Sequence, residues 1–378
     1  MSTPIKVAVL DDYQGISEPK FKALDSTRYH VEFFKDTLRP YNHPDTQQDV
    51  KDKLVKRLEP FTVIGEHIVE KGASLSQGLI CCIATMRERT PFPRELIERL
   101  PNLKLLLTTG NRNLALDLEA FKERAIPVAG AVDKAHPGSV GSVSTTEHCV
   151  AMILAATRNI AQDDHEVKSG GWQTVPAVSL SGKIFGTVGL GRLGIAVAKI
   201  MHLAFGMRII AWSPNLTQEV ADEKAKAAGF PVENSQGEKT FKVVSQEELY
   251  KTSDVVSLHI VLSDRSRGGV TSKELSLMKP SAIFVNTSRG PLVVENDLLE
   301  ILEQGKIRAA ALDVFNLEPL PLDSKWRTTK WGQDGRSRVL LTPHMGYVEH
   351  DTLEGWYEQQ VENIQRWEKG EALIQSLY

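Results

Sequence analysis

The chain has 378 residues, with 45 Lys and Arg against 48 Asp and Glu, 41% hydrophobic and 25% charged residues, and a formal charge of −3. At roughly 150 residues per domain this length holds two or three folding units with substantial cores. The near-neutral mixture of signs excludes the basic field that nucleic-acid binding demands and a polybasic tail for an anionic membrane.

The start, MSTPIKVAVLDD, has no charged n-region, no long apolar h-region and no cleavage site, and Asp11 and Asp12 argue against a transit peptide. No apolar run approaches the roughly 18 residues of a membrane span, so a soluble, cytoplasmic protein is expected. Cys81, Cys82 and Cys149 fit neither a disulfide framework nor a CxxC metal site. They read as small buried apolar side chains in a reduced compartment, and no metal is expected.

Along the chain, strand-like runs occur at Val7 to Leu10, Leu79 to Ile83, Leu103 to Leu107, Ile184 to Val188, Arg208 to Trp212, Asp254 to Ile260, Ala282 to Asn286, Arg308 to Val314 and Val339 to Leu341. They alternate with helical patterns, which points to βαβ units, parallel sheets and an α/β class. Between the early and late strand groups, Ser144 and Glu147 have capping-box spacing ahead of the apolar stretch Cys149 to Ala156, predicting a helix that forms a spine between two domains. Two stretches lack the period of any element, the polar Glu233 to Lys242 and the longer Leu320 to Arg338 with Trp326 and Trp331. Both read as surface loops, the second long enough for a lid. At the end, Leu353, Tyr357, Val361, Ile364 and Trp367 fall on one face of an amphipathic helix that needs an apolar surface to cover.

The strongest single motif is Gly189-Leu190-Gly191-Arg192-Leu193-Gly194, directly after the strand at 184–188 and directly before a helical run. There the first glycine permits a tight turn, the second lets a pyrophosphate approach the backbone, and the third lets helix and strand pack closely. The phosphate then meets unpaired N–H groups at a helix N-terminus. After the next strand, Ser213-Pro214-Asn215 stands where an NAD site usually carries an acidic residue for the ribose 2′-OH, and no acid follows until Glu219. The cofactor is therefore read as NAD(P)H with a lean to NADPH.

Three more polar groups fall just past strand ends: Arg289 in Asn286-Thr287-Ser288-Arg289-Gly290, Glu318 after Asp313, and His344 in Leu341-Thr342-Pro343-His344. Ligands of open α/β sheets bind outside the carboxyl ends of strands. A guanidinium grips a carboxylate, an imidazolium protonates a carbonyl oxygen as hydride arrives, and a carboxylate beside the imidazole orients it and favours its charged form. His30, His43, His67 and His350 have no partner pattern and read as surface or packing residues, and His148 reads as packing.

With the motifs LKLLLTTG, GLGRLG, SLHIVLSDRSRG, VNTSRGPLV, AALDVFNLEP and LTPHMGY in order, the chain from about Pro101 to Tyr347 resembles the D-isomer-specific 2-hydroxyacid dehydrogenase family, which includes glyoxylate/hydroxypyruvate reductases and phosphoglycerate dehydrogenases. The resemblance implies two doubly wound parallel-sheet domains with a cleft between them. Residues 1–127 and 343–378 would form a flavodoxin-like substrate domain carrying the C-terminal helix, and 128–342 a Rossmann cofactor domain. It implies that Arg289 polarises the substrate, Glu318 partners the acid/base His344, and Thr287, Asp313 and Gly346 meet the nicotinamide end. His259 and Ile260 would line the cofactor cleft.

By the same likeness, backbone amides of Asn111 and Arg112 hold the substrate carboxylate, with Arg112 where a second glycine is common, and Arg87 stands in an arginine-containing loop. Trp326 and Trp331 would either widen the pocket for a bulkier 2-oxo acid or pack their loop down. The function implied is NAD(P)H-dependent reduction of 2-oxo acids to D-2-hydroxy acids by a homodimer built on the cofactor domains. Alternatives on the same fold are a formate- or phosphite-type dehydrogenase and a corepressor-like NAD(P)-sensing interaction protein.

Overall fold

Runs of β-branched and aliphatic residues become short strands here because both faces of the sheets are covered, so near-continuous apolar segments lose nothing by facing both ways. The computed structural model describes residues 4–59, 82–86, 90–110, 113, 115–132 and 143–378, with the backbone alone for 82–86 and 143. The chain divides into two compact units, Met1–Ala135 with Glu349–Tyr378, and His136–Val348.

In the first unit β1 (Ile5–Val9), β2 (Tyr29–Phe33), β3 (Cys82–Met86), β4 (Leu103–Thr108) and β5 (Val128–Ala129) form a parallel sheet in the order β2-β1-β3-β4-β5. Val7, Ala8 and Val9 of the inner strand β1 are fully buried. The last helix, His350–Glu368, begins where the Glu349 carboxylate accepts the N–H groups of Asp351 and Thr352, both at 2.9 Å. Leu353, Tyr357, Val361 and Ile364 are buried as the spacing requires, and Tyr357 meets Phe21 edge-on at 6.3 Å. Beyond it, Ser376 bridges Ala129 antiparallel and Leu377 N–H donates to Val128 O at 2.9 Å, closing the open edge of β5.

In the second unit β6 (Ile184–Val188), β7 (Arg208–Trp212), β8 (Phe241–Val243), β9 (Val255–Leu258), β10 (Ile283–Asn286), β11 (Ala309–Leu312) and β12 (Arg338–Leu341) run parallel in the order β12-β11-β10-β9-β6-β7-β8. The order reverses between β6 and β9, the place where doubly wound sheets open a crevice. The helix Val143–Arg158 buries Cys149, Met152, Ile153 and Ala156 in a core with Phe185, Val197, Ala309 and Ala311. The alanines of β11 remove bulk on the side where that helix packs. No helix among the described residues is long and apolar enough to cross a membrane.

Several expectations are corrected. Ser144 lies inside the helix Val143–Arg158, and its Oγ donates to Gly346 O at 3.0 Å instead of capping. The unit boundaries fall at 135/136 and 348/349, not at 127/128 and 342/343. Residues 128–129 pair with β4, and the backbone N–H groups of Met345 and Gly346 are bonded to the Asp313 carboxylate. Segment 233–242 contains a bridge between Glu233 and Lys239 and part of β8. Segment 320–338 is no lid: Ser324 caps the helix Lys325–Thr328, and Trp326, 3% exposed, packs with Phe315 and Trp331 at 6.5 and 5.8 Å between ring centroids.

Candidate active site

The glycine loop follows β6 as the sequence requires. Gly189 has φ +102°, and a Cβ there would lie 2.8 Å from His259 O; one on Gly194 would lie 2.2 Å from Gly189 O. Both positions exclude any side chain, the first by conformation and contact, the second by contact alone. Around Gly191 a Cβ would meet nothing within 4 Å, and no side chain caps the helix Arg192–Phe205 that starts there. The surface over this helix end is open, with Arg192 exposed and Leu193 half-buried beside it. Uncapped N–H groups and an open approach fit a pyrophosphate.

Ser213 and Asn215 lie in the turn after β7, half-buried and exposed respectively. The nearest acid along the chain, Glu219, belongs to the first turn of the helix Gln218–Ala227. After β9, His259 N–H donates to Val188 O at 2.8 Å, and its Nε2 pairs with Ser257 Oγ at 2.9 Å. Burial pushes the His259 imidazole down to about 4, so it is neutral near pH 7. Ile260, half-buried, follows it, and a Cβ on Gly189 would lie 2.8 Å from Ile260 Cγ2.

The loop after β10 is built by its own polar groups. Asn286 Oδ1 accepts Ser288 N–H at 3.1 Å, Asn286 Nδ2 donates to Arg289 O at 3.0 Å, and Ser288 Oγ donates to Leu258 O at 2.7 Å. Thr287 is buried within this loop, while the Arg289 side chain is exposed, donating from Nη1 to Ser288 O at 2.8 Å. A Cβ on Gly290 would lie 2.1 Å from the Phe315 carbonyl carbon, so this loop rests directly on the one after β11.

That second loop carries Glu318. Its Oε1 accepts Phe315 N–H at 2.9 Å, and its Oε2 accepts His344 Nδ1–H at 2.7 Å. The pair is largely enclosed, at 16% and 10% side-chain exposure. His344 follows β12 with φ +55°, and its N–H donates to Asp313 O at 2.7 Å. With Nδ1 committed to the carboxylate, Nε2 is the ring atom that can exchange a proton. The Glu318–His344 pair and the loop that bears Arg289 therefore lie past the carboxyl ends of three adjacent strands, β10, β11 and β12.

Asp313 is 1% exposed. Burial pushes its carboxyl pKa up, but hydrogen bonds from His148, Thr342 and Met345 N–H outweigh this and hold it below the usual value. Gly346 N–H also reaches Asp313, at 3.0 Å. His148, read from sequence as a packing residue, is instead a polar partner: its Nε2 lies 3.1 Å from Asp313 Oδ1 and 3.2 Å from Thr342 Oγ1. The helix period, which puts His148 four residues before the buried Met152 and eight before Ala156, signals only packing; the partner Asp313 is distant in sequence. Arg87, Asn111 and Arg112 lie outside the described residues.

Residues 150–346 match the family described as D-isomer specific 2-hydroxyacid dehydrogenase, NAD binding domain. The chain is 34% identical to a glyoxylate reductase of Thermococcus litoralis, over 74% of this chain and 78% of that one. It is 28% identical to a hydroxypyruvate reductase of Blautia hydrogenotrophica, over 75% of this chain and 81% of that one. Among solved structures, a phosphoglycerate oxidoreductase from Vibrio cholerae is similar with a TM-score of 0.75 at 29% identity, covering 97% of this chain and 99% of that one.

Proposed function

The chain belongs to the D-isomer specific 2-hydroxyacid dehydrogenase family of oxidoreductases, and from that premise we propose that it reduces 2-oxo acids to D-2-hydroxy acids with NAD(P)H. The observation that carries this reading is the His344–Glu318 pair at 2.7 Å, beside the loop that bears Arg289. The bound nicotinamide supplies the hydride. The residues present fit such a cofactor, since the open helix end at Gly191 suits its pyrophosphate. Thr287 and Asp313, directly after β10 and β11, and Gly346, bonded to Asp313, are the groups proposed to meet the nicotinamide and its ribose.

Arg289 grips the substrate carboxylate with its forked donors. His344 donates the Nε2 proton to the carbonyl oxygen as C2 accepts hydride, and Glu318 stabilises the imidazolium and fixes the ring through Nδ1. Trp326 packs inside the second unit's core, so the reading does not need it as a pocket wall for a bulky substrate. The turn Ser213-Pro214-Asn215 carries no negative charge against a 2′-phosphate, which supports NADPH over NADH.

A homodimer through the cofactor unit is part of the proposal. The helix Ile160–Lys168 buries none of its residues, and Ile160, Val167, Trp172 and Val175 are exposed apolar groups in one stretch of chain.

The test is a panel of 2-oxo acids with both reduced cofactors, followed by loss of nicotinamide absorbance. Turnover is expected, with the higher kcat/KM for NADPH, and His344→Ala should lower kcat by about 10²–10⁴-fold. Full turnover by His344→Ala, or no turnover across the panel despite tight NAD(P)H binding, overturns the assignment.

A further inference from the structure

The turn that presents His344 is held from outside itself. Asp313 Oδ1 accepts Thr342 Oγ1–H at 2.6 Å, Met345 N–H at 2.7 Å and His148 Nε2–H at 3.1 Å, while Oδ2 accepts Gly346 N–H at 3.0 Å. Three of these donors belong to residues 342–346, the segment that contains His344. The fourth comes from the helix Val143–Arg158. One turn earlier on that helix Ser144 Oγ donates to Gly346 O at 3.0 Å, so the helix grips the segment at two points, Ser144 directly and His148 through Asp313. The grip is needed because His344 sits at φ +55°, a conformation that a side-chain-bearing residue keeps only where its surroundings over-determine it.

We propose that His148 is a positioning residue for the reaction: by donating Nε2–H to Asp313 it locks the Thr342–Gly346 turn, and so holds His344 against Glu318 with its own Nε2 presented to the substrate carbonyl. The proposal rests on the reading of His344 as the proton donor. His148 is not a catalytic residue, since its Nε2 meets Asp313 and Thr342 and neither is a reacting group. Its ring lies beside the turn, as a Cβ on Gly346 would fall 3.9 Å from His148 Cδ2. Removing the donor leaves the Asp313 carboxylate one bond short in a nearly closed site and frees it to turn. The His344 ring then shifts relative to the carbonyl it must protonate.

The experiment compares the full-length wild-type chain with His148→Leu, which keeps apolar bulk but has no donor, and His148→Gln, whose amide nitrogen can occupy the place of Nε2. For each, kcat and KM on the best 2-oxo acid, the NADPH Kd by fluorescence and the melting temperature are measured. A misplacement of about 1 Å costs on the order of 10²-fold in rate, so His148→Leu should lose kcat by up to that factor while the KM for the 2-oxo acid stays near wild type, and His148→Gln should recover most of the loss. Unchanged kcat in His148→Leu, or equal loss in Leu and Gln alike, overturns the proposal. Should His148→Leu fail to fold, His148→Asn replaces it: its amide falls a methylene short, so Asn slower than Gln supports the role and equal rates overturn it.

A second readout needs no turnover. With ¹⁵N-labelled histidine, the hydrogen-bonded Nδ1–H resonance of His344 should persist in wild type and His148→Gln and disappear or shift in His148→Leu. An inactive wild type with this signature intact would fail the proposed reaction and leave the positioning role standing. Identical spectra in all three chains would fail the positioning role alone.

Discussion

His259 and Asp313 stand just past β9 and β11, and each is held below its ordinary pKa, His259 by burial and Asp313 by hydrogen bonds that outweigh its burial. For both, the unfolded chain binds protons more tightly than the folded one, so both make stability rise with pH. The windows differ. The Asp313 contribution is present above its unfolded value of 3.8 and is lost as pH falls through its lower folded value. The His259 penalty is absent above its unfolded value of 6.5 and grows as pH falls toward about 4. Urea unfolding at pH 7.5 and pH 5.0 should show wild type losing about 1–2 kcal/mol from His259 alone across that interval, and His259→Asn should remove that part of the pH dependence. An unaltered difference between the two pH values in the variant would refute the neutral imidazole. At this scale the placement of Arg289, Glu318 and His344 in the loops after β10, β11 and β12 was legible from the ordered motifs, whatever their roles. His148 was not, since its partner Asp313 is distant in sequence and only folding brings the helix and the strand end together.

Inner strands such as β6 and β7 declared themselves, as did the rim strand β12, but the rim strands β2, β5 and β8 did not. β6 and β7 match the expected runs residue for residue, because a strand enclosed on both faces is a continuous apolar segment. β2 reads Tyr-His-Val-Glu-Phe with alternating burial at the rim of its sheet, β8 is a three-residue rim strand, and β5 has two residues. Such short or half-polar segments carry too few apolar positions to stand out from loops. The segment 320–338 misled for the opposite reason, since its tryptophans have no helical or strand period. Only the tertiary structure shows Trp326 filling the space beside Phe315, with its backbone O accepting Trp331 Nε1–H at 3.1 Å. Trp326→Ala should therefore behave as a core truncation and cost about 3–5 kcal/mol in unfolding free energy. A lid would give another result, a changed KM with an unchanged melting temperature, and that outcome in chemical denaturation and steady-state assays would restore the lid reading.

The division into two parallel-sheet units was legible from the recurrence of βαβ patterns and from the glycine loop that opens the second. The boundaries were not, because they depend on which carboxylate the chain is bonded to as it leaves β12: Met345 and Gly346 are tied to Asp313 and so stay with the second unit. What one chain leaves uncovered bears on the assembly. Trp172 is 76% exposed, a large apolar cost for a monomer, and the preceding helix Ile160–Lys168 contributes no buried residue to its own unit. A stable dimer buries roughly 800 Å² on each partner, and an exposed tryptophan flanked by Ile160, Val167 and Val175 is the kind of anchor around which such an area forms. Because Trp172 supports so little within its own chain, Trp172→Glu should leave the monomer folded while placing a charge at the proposed contact. Light scattering after size exclusion should give twice the chain mass for wild type and the chain mass for Trp172→Glu, with far-ultraviolet circular dichroism unchanged. A monomeric wild type, or a variant that remains a dimer, would move the interface away from this surface.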